Sequence, residues 1–167
     1  MKKFLALIPV LIIFLLLFGC SGEPLSNTNL PNPIVDTDAA GLAALGLPID
    51  APQDAQNISY SIISNQIAQV FFTADSVSYN YRAAKSEEDI SGVYETFEDV
   101  HDVLIDGDGW TAAITVKMVK DADGGLATWR FGDTIFSLFS SDAVSSEVLS
   151  RTAMALAEKA YIDFSVS

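Results

Sequence analysis

The sequence predicts an α+β domain, an antiparallel meander sheet of about six or seven strands with one C-terminal amphipathic helix packed on one face. Three observations predict it. Between residues 58 and 140 the chain is a series of short runs rich in β-branched and aromatic residues, separated by Gly, Asp, Asn and Ser. One run, 77–83, alternates cleanly, with Val77, Tyr79 and Tyr81 on one side and Ser78, Asn80 and Arg82 on the other, as a strand with one buried face requires. After the last run the period changes from two to 3.6, and a single helix following a meander packs most simply across one face of the sheet.

In chain order, the first element is a targeting segment. Lys2 and Lys3 form a positive n-region, and residues 4–18 are an apolar run broken only by Pro9. The run is short of the roughly 20 apolar residues a membrane-spanning helix needs and fits the core of a signal peptide. Leu17-Phe18-Gly19-Cys20 resembles a bacterial lipobox, in which the cysteine thiol receives a diacylglyceryl group and the chain is cut just before it. Gly19 is the small residue the cut wants, and Cys20 is the only thiol present; Phe18 stands where a smaller residue is usual. Residues 1–19 therefore read as a lipoprotein signal peptide and 20–36 as the lipidated cysteine and a flexible tether, with three prolines and three asparagines between 21 and 36. The alternative is an uncleaved anchor helix with an incidental cysteine. Both readings place the bulk of the chain on the extracytoplasmic side of the cell membrane, and in the first the lipid on Cys20 holds it there.

The folded part reads as one domain over 37–161. Residues 37–46 have capping residues at the start, a glycine at the end and apolar positions at helical spacing, a short helix; 47–54, with Pro48 and Pro52, is extended. Strands follow at 58–63, 67–73 and 77–83. The polar stretch 85–89 and the segment 90–99 lead to a second series at 100–105, 110–119, 126–131 and 134–140. Gly132-Asp133 suits a two-residue hairpin with glycine first. Trp110, Ala112, Ile114, Val116 and Met118 share a face, a core stripe on an antiparallel strand. Ser145 offers an N-cap with Glu147 in the first turn, and Val148, Leu149, Thr152, Ala153, Leu156 and Ala160 recur at helical spacing up to Tyr161. Residues 162–167 are a tail, either a frayed end or an extra edge strand.

Charge narrows the function. The chain has 167 residues and a net charge of −13, which becomes −15 without Lys2 and Lys3. Phosphate backbones would repel so acidic a body, so nucleic-acid binding is disfavoured. One cysteine excludes a disulfide within the chain.

Candidate chemistry is sparse. The single histidine, His101, lies beside Glu98, Asp99 and Asp102, which makes imidazole and carboxylates available for metal binding or proton transfer. A catalytic zinc site needs three protein ligands, often two or more of them histidine or cysteine, so His101 reads as a solvated strand or loop residue. Asp106-Gly-Asp-Gly and Asp121-Ala-Asp-Gly-Gly open like calcium loops, but the twelfth positions are Lys117 and Gly132 instead of glutamate, and both read as hairpin turns. Trp110, Trp129, Tyr79, Tyr81 and Phe136 read as packing residues more readily than as an aromatic ligand groove. No nucleophile elbow or phosphate loop is present, so no catalytic residue, metal or cofactor is assigned. Nine acids and one base, Lys85, lie between 85 and 108. Within them Glu95, Glu98, Asp99, His101 and Asp102 form the candidate contact surface for a basic envelope protein or peptide. The chain is thus expected to be a lipid-anchored, non-catalytic binding or sensing module at the cell envelope. The alternatives are a small surface hydrolase or metal-dependent enzyme using His101 and nearby carboxylates, and a structural or inhibitor-like domain that blocks a partner at the envelope.

The run Leu126-Ala-Thr-Trp129, then Phe136-Ser-Leu138, the cap Ser145-Ser-Glu147 and the helix with Leu149, Ala153 and Leu156 resemble a domain of unknown function. That domain occurs in lipoproteins of Gram-positive bacteria and in the extracytoplasmic parts of some membrane-bound anti-sigma factors. Asp89-Ile-Ser-Gly-Val-Tyr94, after the strand ending Tyr81-Arg-Ala-Ala, is also similar to the lipoprotein members. The resemblance covers roughly 39–161 and implies a location and a fold type. It carries no catalytic residues, and no sigma-binding region matches.

Overall fold

A computed structural model describes residues 32–107 and 109–165. The expected signal peptide and Cys20, the expected tether as far as residue 31, Asp108 and residues 166–167 of the expected tail lie outside the described residues. The elements are β1 (Ile34–Thr37), α1 (Ala39–Ala44), β2 (Gln56–Ile63), β3 (Ile67–Ala74), β4 (Val77–Lys85), β5 (Phe97–Gly107), β6 (Trp110–Val119), β7 (Gly125–Phe131), β8 (Thr134–Ser140) and α2 (Ser146–Ser165).

Turn chemistry decides which strands are neighbours. Asp75 and Ser76, between β3 and β4, both adopt the left-handed conformation (φ 50° and 67°), the two-residue hairpin turn whose twist matches that of the flanking strands. Gly132 (φ 56°) opens the β7–β8 turn, as its place in Gly132-Asp133 predicts. Two four-stranded antiparallel meanders result. They join through β4 and β8, where Tyr81 pairs with Leu138 and Ala83 with Phe136, so the order across the sheet is β1-β2-β3-β4-β8-β7-β6-β5.

Alternation then sorts the side chains. One face carries Val70, Phe72, Tyr79, Tyr81, Ile114, Val116, Trp129, Phe136 and Leu138, all buried, and α2 covers it with Leu149, Ala153, Leu156, Ala157 and Ala160. Three alanines on that stripe let the helix approach the sheet closely. Leu42, Leu47, Ile49 and Ala51, from α1 and the segment after it, complete the same core. Ser145 caps α2, with its Oγ accepting from the Val148 amide at 3.2 Å, and Asp38 caps α1 by accepting from Gly41 at 2.8 Å.

The fold class is therefore α+β, with eight strands. The added strand is β1. The sequence places residues 34–36 in the tether, but they pair with β2, Ile34 opposite Ile63 and Asp36 opposite Ser61. The strand gains backbone pairing rather than burial, since Ile34 and Val35 stay about half exposed. At the other end α2 continues to Ser165, so residues 162–165 of the expected tail are helical. Strand β5 begins at Phe97, three residues earlier than its apolar pattern suggests, because a bulge interrupts the pattern.

Candidate functional site

The five residues of the expected contact surface gather at one end of β5 and the loop before it. Glu95, Glu98, Asp99, His101 and Asp102 are all exposed. Strand β5 is 11 residues long and forms one edge of the sheet, with β6 on one side only. Its register with β6 shifts between Glu98 and His101, where Asp99 takes a φ of 49°. The bulge resets the facing of the rest of the strand: His101, Val103 and Ile105 turn to the helix side, opposite Val116, Ile114 and Ala112, while Asp102, Leu104 and Asp106 turn to the open side.

Some of the polar groups there have definite partners. Thr115 donates from Oγ1 to Asp102 Oδ1 at 2.7 Å, and Thr111 to Asp106 Oδ1 at 3.1 Å. His101 Nδ1 lies 3.1 Å from the Asp99 carbonyl, which can only accept, so Nδ1 carries a proton. Its Nε2 lies 3.2 Å from Ser146 Oγ at the start of α2. Lys117 lies over the Phe97 ring, 5.8 Å from its centroid. Among the described residues no three histidines, cysteines, aspartates or glutamates come together as a metal site.

The acidic stretch between 85 and 108 is not one surface. Glu87 sits beside Arg130 at the end of β7, 3.4 Å away and exposed, while Asp89 belongs to the crossover from β4 to β5. That crossover is held by Arg82. Its Nη1 donates to the Ile90 and Ser91 carbonyls at 3.1 and 2.6 Å, and its Nε donates to Gln69 Oε1 at 2.8 Å. Gly92 permits this approach: its φ is +64°, and a Cβ there would lie 2.5 Å from Nη1. Asp89 closes the turn by accepting from the Ser91 amide and hydroxyl. The phrases Tyr81-Arg-Ala-Ala and Asp89-Ile-Ser-Gly-Val-Tyr94 thus meet in space at one clamp. Burial lowers the proton affinity of the Arg82 guanidinium, against the opposing fields of Asp89 and Tyr94. Beside the clamp lies an open groove of about 430 Å³ flanked by Ile34, Ile63, Ile67 and Ile90, with Tyr94 projecting almost fully into solvent.

A second cluster carries no signal in the sequence, because its members lie up to about a hundred positions apart. Tyr60 donates to Asp50 Oδ1 at 2.6 Å. Lys159 of α2 lies 3.6 Å from Asp50 Oδ2 and donates to the Ala51 carbonyl at 3.1 Å. Shallow clefts of about 540 and 530 Å³ flank this pair. Beneath it the Tyr81 hydroxyl is buried without a hydrogen-bond partner, as is Trp129 Nε1. Burial, then the hydrogen bond and charge of Asp50, push the Tyr60 phenol up to about 12.

A folded-state value above the unfolded 10 means that the native state holds this proton more tightly. The resulting stability is fully present below pH 10 and is lost as pH rises toward 12. Tyr60→Phe is therefore expected to unfold less steeply with rising pH across that window than the parent, as urea melts at successive pH values will read. Equal slopes would show that folding does not strengthen the hold on the Tyr60 proton.

The expected packing role of the aromatic residues holds. Tyr79, Tyr81, Trp129 and Phe136 are buried, and Trp110 stacks on Tyr161 at 4.8 Å between centroids. No helix among the described residues is long and apolar enough to cross a membrane. No protein-family model, curated protein or solved structure matches the chain.

Proposed function

We propose that the protein is a lipid-anchored extracytoplasmic lipoprotein whose domain is a non-catalytic binding module, with the acidic end of β5 as its contact surface for a basic envelope protein or peptide. The observation that carries the anchoring is the quartet Leu17-Phe18-Gly19-Cys20 at the end of an apolar run behind two lysines. Thirteen residues separate Cys20 from Ile34. A linker of that length can reach about 20 Å, enough to hold a domain clear of lipid headgroups. The net charge of −15 pushes the domain away from an anionic leaflet and draws cationic segments toward it.

Replacing Cys20 with alanine tests the anchor. In the bacterial host the parent chain is expected to incorporate labelled fatty acid, lose its first 19 residues and partition into detergent. The Cys20→Ala chain should carry no label and retain its leader, as mass spectrometry of the intact product will read. A parent chain with a free thiol and an intact leader overturns the proposal.

A further inference from the structure

Strand β5 is the free edge farthest from the point where the chain enters the sheet. The chain enters on β1, at one edge of the eight-stranded order, and β5 is the other edge. Seven strand spacings of about 4.8 Å put the two edges on the order of 30 Å apart. Among the described residues no strand pairs with the outer side of β5, so its backbone N–H and C=O groups along that side are open to a partner.

Past the bulge the register of β5 is regular from His101 to Gly107. On the open face this stretch shows an acid, an apolar residue and an acid at alternate positions: Asp102, Leu104 and Asp106. Leu104 is 69% exposed beside the exposed Ala113, its neighbour on β6. Thr115 and Thr111 each engage one oxygen of the flanking carboxylates, which orients them. Charge decides what can pair here. In an antiparallel pairing of two β5 strands centred on Leu104, Asp102 would face Asp106 twice, so a second copy is repelled. A strand with cations at those two positions gains at both.

From these observations we propose that β5 takes up an extended basic segment by strand addition, with lysine or arginine opposite Asp102 and Asp106 and an apolar residue opposite Leu104. This deepens the reading of the acidic surface as a contact site and rests on it. Main-chain hydrogen bonds along 101–107 supply the attachment, and the alternate side chains supply the selectivity. The pattern basic–x–apolar–x–basic reads the same in both directions, so it specifies spacing and leaves strand polarity free.

Peptides test it against the full chain in detergent micelles. One probe has the core Lys-Thr-Leu-Thr-Lys; a second, Lys-Lys-Leu-Thr-Thr, has the same composition and charge in the wrong alternation. Strand addition predicts that the first binds about tenfold more tightly and raises amide-exchange protection over 101–107. Reversing the charges with Asp102→Lys and Asp106→Lys is expected to remove that preference, and the core Glu-Thr-Leu-Thr-Glu to restore binding. This rescue also shows that the variant is folded. Equal affinity for both lysine peptides, or binding without protection of 101–107, overturns strand addition while leaving a diffuse acidic contact surface in place. If neither lysine peptide binds, nor polylysine, the contact-surface reading fails with it.

Discussion

Truncating Phe136 to alanine is expected to lower the free energy of unfolding by about 3–5 kcal/mol and the thermal midpoint by about 10–20 °C. Phe136 sits on β8, one of the two strands that join the meanders, and it is fully buried. Its ring lies nearly parallel to Trp129 at 5.5 Å and to Tyr81 at 6.4 Å, and meets Phe131 edge-on at 5.8 Å. Removing it takes one member from three aromatic pairs and opens a cavity that the rigid strands on either side cannot collapse to fill. Tyr94→Ala is the control, since Tyr94 is 98% exposed and its loss should move stability by no more than about 0.5 kcal/mol. Chemical denaturation of both variants checks the pair. A change below about 1 kcal/mol at Phe136 would mean that the two meanders do not pack as described.

Arg82→Met should cost about 2–4 kcal/mol, through a different mechanism. Methionine keeps much of the volume but removes every donor, so the Ile90 and Ser91 carbonyls and Gln69 Oε1 lose their bonds to the guanidinium. The crossover would then lift from the sheet before the core unfolds. Hydrogen exchange should therefore show faster exchange over 90–93 at denaturant concentrations where α2 is still protected. Gly92→Ala acts on the same contact from the other side, because its added carbon meets Nη1 and its φ is left-handed. If Arg82→Met leaves exchange in the crossover unchanged, the clamp is not what holds it.

Much of this fold is legible locally. The strict alternation of 77–83, the stripe from Trp110 to Met118, Gly132-Asp133 and the Ser145 cap each depend on a few neighbouring residues, and all four appear in the structure as the sequence predicts. The features that the sequence leaves hidden involve pairing at a distance. β1 carries no burial signal because its side chains stay largely outside, and it is a strand only through its partner β2. The start of β5 is hidden because the bulge at Asp99 puts Phe97 out of phase with Val103 and Ile105. The contact-surface residues are legible as a group because they are neighbours in the chain. Tyr60, Asp50 and Lys159 are not, and neither is Arg82 as a clamp.

The sequence by itself determined seven of the eight strands, both helices and the buried faces of 77–83 and 110–118, because turn conformations and side-chain periodicity act over two to four residues. Only the tertiary structure decided that β4 pairs with β8 and that β5 therefore ends the sheet. Strand order across two meanders is set by which arrangement buries all their apolar faces together under α2. No local pattern encodes that choice, yet it turns an acidic stretch of chain into an exposed edge.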